Sequence, residues 1–180
     1  YGKWGDRMLD DIQEGAKSLM DKGKVDPNQV CIMGGSYGGY ATAHSLVRHN
    51  NFYSCGVVIV GFFDAQHLKD KSDIEDVFFG VGYMDKAIGD DPDKLKAMSP
   101  IYHIDRIKAP MLLLHGEEDV RTPFEGAVEF VAALEEAGKT KFEYKWYPKE
   151  GHGNVNIDNR MDEWNRIASF LGPNLSRQDR

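Results

Sequence analysis

A serine stands among four glycines in Gly34-Gly35-Ser36-Tyr37-Gly38-Gly39, directly after the apolar run Val30-Cys31-Ile32-Met33. The small-residue stretch Tyr40-Ala41-Thr42-Ala43-His44-Ser45-Leu46-Val47 follows it. Gly-x-Ser-x-Gly between a strand and a helix is the pattern of a nucleophile elbow, in which small neighbours let helix and substrate approach the hydroxyl. A glycine-rich loop without chemistry has the same local pattern. The predicted helix start just after Ser36 favours the nucleophile, because backbone N–H groups there point at developing negative charge.

A serine hydroxyl attacks a carbonyl only when a base takes its proton, and that base must be held by a carboxylate. The apolar run Met111-Leu112-Leu113-Leu114 leads into His115-Gly116-Glu117-Glu118-Asp119. Three carboxylates thus fall at the C-terminal end of a predicted strand, where parallel sheets build their sites. Later, Lys149-Glu150-Gly151-His152-Gly153 sets a histidine between glycines that let its loop approach the elbow, and His152 is read as the base. His44, His49, His67 and His103 are read as surface or packing residues, and His115, which precedes the acids, as shaping their turn. On the residues alone, Glu117, Glu118 and Asp119 remain alternatives for the acid.

These groups need a scaffold. Met8, Ile12, Ala16, Leu19 and Met20 recur at helical spacing up to a stop at Gly23. Strand signals follow at Val30 to Met33, Gly56 to Val60 and Met111 to Leu114, and Phe142 to Trp146 alternates apolar and charged residues. Thr122-Pro123 predicts the cap and first turn of a helix carrying Phe124, Ala127, Val128, Val131 and Leu134 to Gly138. A last helix is predicted from about Asp158 to Leu171, stopping at Gly172-Pro173. Residues 62–109, with aromatic pairs Phe62-Phe63 and Phe78-Phe79, predict short helices and loops over a binding face. Alternating strands and helices predict an α/β fold with a mostly parallel sheet. Its three continuously apolar strands should be covered on both faces, and the alternating one should lie at a margin. The strand at Val30 has no upstream neighbour in the sequence, so its edge calls for further strands or another chain.

Composition narrows the function. With 180 residues, 41% hydrophobic and 28% charged, the chain fits one soluble domain that can bury about 70% of its unfolded surface. A net charge of -7 argues against a nucleic-acid partner. No apolar run approaches the roughly 18 residues of a membrane span and no leader pattern is visible, which sets a cytoplasmic expectation. No spacing suits zinc, nucleotide or another cofactor, so none is expected. Cys31 and Cys55 each lie in an apolar segment and are read as buried free thiols.

Three separated motifs carry a resemblance: Gly34-Gly35-Ser36-Tyr37-Gly38-Gly39-Tyr40, His115-Gly116-x-x-Asp119-x-x-Thr122-Pro123, and Glu150-Gly151-His152. Together with Trp4-Gly5 and Asp26-Pro27-Asn28, they resemble the catalytic domain of prolyl oligopeptidase family serine peptidases, nearest the acylaminoacyl and dipeptidyl peptidases. The likeness covers nearly the whole chain. It implies a three-layer α/β-hydrolase fold over residues 1–180, truncated at its N-terminal side, since the family's propeller and early hydrolase strands are missing. It further implies Ser36 as nucleophile, Asp119 as acid, His152 as base and the Tyr37 backbone N–H as an oxyanion donor, with Phe62 and Phe63 lining the pocket beside the scissile bond. Where the family often has Val, this chain has Thr122. The expected activity is hydrolysis of short peptides or acyl-peptides through an acyl-enzyme. The alternatives are a carboxylesterase with the same machinery, or an inactive piece that associates through its bare edge, including with a second copy.

Overall fold

The computed structural model describes residues 1–77, 79–138 and 140–176. Helix α1 (Arg7–Asp21) precedes strand β1 (Cys31–Gly35), helix α2 (Tyr37–Arg48) and strand β2 (Cys55–Ile59). The middle region holds α3 (Ala65–Lys71), α4 (Gly80–Ala87), α5 (Pro92–Ala97) and two 3₁₀ segments, Asp73–Asp76 and Pro100–Arg106. Strand β3 (Met111–Gly116), α6 (Phe124–Ala137), β4 (Phe142–Tyr147) and α7 (Ile157–Leu175) complete the order. Short helices over residues 62–109 match the expectation; Phe78 lies outside the described residues.

The four strands form one parallel sheet in the order β1-β2-β3-β4. Side chains alternate across it. Met111 and Leu113 of β3 pack with Leu46 and Val47 of α2 and Phe130 and Leu134 of α6, whereas Leu112 and Leu114 pack with Ile167 and Phe170 of α7. Helices on both faces explain why β3 is apolar at every position. Burial of each such side chain contributes about 1.5–3 kcal/mol, so these two layers fix the sheet and hence the loops at its C-terminal end. The alternating strand β4 is one margin, as expected. Among the described residues β1 pairs only with β2, and Met33 is 47% exposed on that open margin.

Three local expectations are corrected. Cys31 and Cys55 are not free thiols: the register of β1 on β2 makes them direct partners, 4.6 Å apart at Cα, and they form a disulfide. Strand register is a tertiary property, invisible to spacing along the chain. Pro123 rather than Thr122 occupies the cap position of α6, with no side-chain capping bond. Helix α7 runs through Gly172-Pro173 to Leu175; in its last turn the Asn174 amide donates to the Phe170 carbonyl and the Ser176 N–H to that of Gly172. Proline at 173 removes one donor, the N–H that would reach the Ser169 carbonyl, and the last turn closes without it.

Candidate active site

Ser36 sits at the C-terminal end of β1 with φ 58° and ψ −122°. A non-glycine residue in that region stores about 1–3 kcal/mol unless its surroundings hold it. They do: the Ser36 N–H donates to the Ile59 carbonyl at 2.9 Å, and the Ser36 carbonyl accepts from the Tyr40 N–H at 3.1 Å. The turn is so tight that a Cβ on Gly34 would stand 2.8 Å from Gly38 Cα. That contact is the physical reason for the first glycine of the motif.

The structure brings Ser36, His152 and Asp119 together from three loops. His152 Nε2 lies 2.8 Å from Ser36 Oγ, and His152 Nδ1 lies 2.9 Å from Asp119 Oδ2. A carboxylate only accepts, so Nδ1 carries the hydrogen and Nε2 is left to accept the serine proton. Asp119 is buried, and its other oxygen accepts from the backbone N–H groups of Arg121 at 2.9 Å and Thr122 at 3.0 Å. Burial by itself would raise the Asp119 carboxyl. The hydrogen bond from His152, the Thr122 N–H and the nearby imidazoles outweigh it and hold the group below the ordinary carboxylate value. The Glu117 and Glu118 N–H groups instead donate to the Tyr147 and Glu150 carbonyls.

Those two backbone bonds, 3.0 Å and 2.9 Å long, sew the acid loop to the histidine loop. Gly116 lets them meet, since a Cβ there would collide with the carbonyl oxygens of Glu150 and Gly151. The Glu150 side chain tethers the far side of the same loop, accepting from the N–H of Val155 at 2.7 Å, the N–H of Asn156 at 3.0 Å and the Asn159 amide at 2.7 Å. Sequence reasoning missed this residue as a tether. Its place just ahead of His152 and just before a predicted helix start was the available signal. Val60, with φ 42°, was missed as well; it turns its carbonyl towards Thr122 at the end of β2. A β-branched residue at positive φ is uncommon, and no sequence pattern announces it.

His115 is buried, and its Nε2–H donates to the Thr122 carbonyl at 2.8 Å. Burial lowers its pKa against the pull of that carbonyl and of Asp119, which keeps it a neutral prop behind the acid. His44 stacks on Tyr40, His49 and His67 face Asp10 and Glu129, and His103 bonds to the Ala97 carbonyl. Tyr37 is the first residue of α2, where a backbone N–H has no intrahelical acceptor. Phe62 and Phe63 part company. Phe63, 1% exposed, stacks on Phe130 of α6 at 4.1 Å in one core cluster, Phe62, 6% exposed, belongs to another, and both border a small cavity with Leu68 and Pro123. Phe62 stacks on Tyr40 at 4.2 Å and neighbours Trp4, whose ring meets Tyr37 edge-on at 4.9 Å. Among the described residues, no group of three His, Cys, Asp or Glu side chains could hold a metal ion.

A parallel sheet flanked by helices, with a serine elbow, acid loop and histidine loop at its C-terminal end, defines the α/β-hydrolase class. The chain belongs to the prolyl oligopeptidase family, whose model matches residues 1–178. It is 32% identical to dipeptidyl peptidase family member 6 of Caenorhabditis elegans over 94% of this chain and 24% of that protein. A puromycin hydrolase crystal structure superposes with a TM-score of 0.88 at 28% identity, covering 98% of this chain and 26% of the other. An acylaminoacyl peptidase from Pyrococcus horikoshii gives a TM-score of 0.87 at 25% identity, covering 99% and 29%. The chain therefore spans about a quarter of the length of the relatives it matches.

Proposed function

We propose that this chain carries the nucleophile, base and acid of a serine peptidase that cleaves short peptides or acyl-peptides through an acyl-enzyme. The observation that carries the reading is the continuous relay from Ser36 Oγ to His152 Nε2 and from His152 Nδ1 to Asp119 Oδ2, both links under 3 Å. In this mechanism His152 takes the Ser36 proton as Oγ attacks the carbonyl, Asp119 holds the imidazolium, and the Tyr37 N–H donates to the oxyanion. His152 then returns the proton to the leaving amine, and water repeats the cycle on the ester. Trp4 and Tyr37, both half-buried, meet edge-on beside the elbow with the buried Phe62 next to Trp4, which suits an apolar side chain on the substrate.

A carboxylesterase would use the same steps, and paired rates on an amide and an ester of one acyl group separate the two. The open margin of β1 is where a covering strand, from further chain or a second copy, would pair. No helix among the described residues is long and apolar enough to cross a membrane. The Cys31–Cys55 disulfide fits an oxidising compartment better than the cytoplasmic setting expected from sequence. Reaction with a fluorophosphonate probe tests the proposal. Labelling at Ser36, abolished in Ser36→Ala with an unchanged fold, is the expected result; equal labelling of the variant would overturn it.

A further inference from the structure

Thr122 was expected to cap α6 and does not; Pro123 takes that position. Its side chain is spent elsewhere. The buried hydroxyl lies 2.9 Å from Asp119 Oδ2, 3.0 Å from the Val60 carbonyl oxygen and 3.4 Å from His152 Nδ1. A hydroxyl has one proton, and both the carboxylate and the carbonyl can only accept it. Hydrogen bonds to an ionised group are roughly twice as strong as neutral ones, so the proton goes principally to Asp119.

We propose that Thr122 is a positioning residue for Asp119, donating its hydroxyl to the same carboxylate oxygen that holds His152. The inference rests on the proposed function in its choice of Asp119 and His152 as acid and base. Each carboxylate oxygen then has two donors: Arg121 and Thr122 N–H on Oδ1, His152 Nδ1–H and Thr122 Oγ–H on Oδ2. The backbone pair sets where the carboxylate sits. The hydroxyl sets how much of its charge is left for the imidazole.

Removing the hydroxyl therefore leaves Asp119 in place with a more concentrated charge on Oδ2, and the protonated imidazole is held more tightly. Of the other titratable groups around the pair, His115 donates to the Thr122 carbonyl and faces Asp119 Oδ2 at 3.4 Å, Arg121 pairs with Asp73, and Glu150 accepts from the start of α7. None of these bonds uses the Thr122 hydroxyl.

The test compares Thr122→Val and Thr122→Ser in the full-length protein. One readout is the pH dependence of inactivation by a fluorophosphonate. The other is the pH midpoint of the His152 ring signals by NMR, assigned with His152→Asn, which is readable even where the site does not react. In Thr122→Val the acid limb and the ring midpoint should both move up by about half a unit. Inactivation at neutral pH should slow by up to about threefold, the loss of neutral imidazole that half a unit brings, and Thr122→Ser should restore all three. A midpoint that stays or falls in Thr122→Val, or a serine variant that behaves like the valine one, overturns the proposal. If the valine variant does not fold, Thr122→Ala carries the same comparison. A wild-type chain that never labels while its ring midpoint responds to Thr122→Val would sink the peptidase reading and keep this one.

Discussion

Gly116→Ala is the most direct trial of how the site is assembled. A Cβ at Gly116 would stand 2.7 Å from the Glu150 carbonyl carbon, and nearer still to two carbonyl oxygens. Carbon atoms settle at about 3.5 Å or more, so the histidine loop must retreat by about 0.8 Å. That movement strains the Glu118 N–H to Glu150 carbonyl bond, 2.9 Å long, and carries His152 away from Ser36, which β1 and β2 hold independently. A misplacement of about 1 Å costs about 10²-fold in rate, whereas overpacking costs about 1–3 kcal/mol of stability. The variant should stay folded at 25 °C and react about a hundredfold more slowly with a fluorophosphonate and with a p-nitrophenyl ester. Gly151→Ala is the control, because its Cβ would meet Glu118 O at an ordinary 3.6 Å; its rate should stay within about twofold of wild type. A Gly116→Ala chain that is folded and fully reactive refutes the argument, as does a rate loss that merely tracks unfolding in a denaturant titration.

Two further outcomes are expected. His44 is buried on α2 with an unpartnered Nδ1, and burial, aided by the neighbouring His103 and Arg48, lowers its pKa to about 4. The unfolded chain binds this proton first, near its ordinary ~6.5, so the contribution is full above that value and is lost as pH falls towards 4, by about 3 kcal/mol. Urea titrations at pH 7 and pH 4.5 should show that loss and a smaller one in His44→Phe; equal losses would contradict it. The Cys31–Cys55 bond closes a sequence separation of 24 residues, for which chain entropy predicts about 3 kcal/mol of stabilisation. Reduction should lower the urea midpoint accordingly, and coincident oxidised and reduced curves would count against the bond.

Much of this molecule was legible along the chain. The elbow, the acid turn and the histidine loop are local patterns, since strand, turn and helix signals are set by neighbouring residues, and the two-faced burial of β3 follows from its unbroken apolar run. The helix stop at Gly138 was equally local. What the sequence alone determined, then, was which groups stand at the ends of which strands. Only the tertiary structure decided that Cys31 faces Cys55, that Phe63 turns into the core while Phe62 joins the aromatic cluster, and that Thr122 gives its hydroxyl to Asp119 rather than to α6. Each of these is a choice among partners far apart in sequence, and it is made by strand register and packing density, which a linear pattern does not encode.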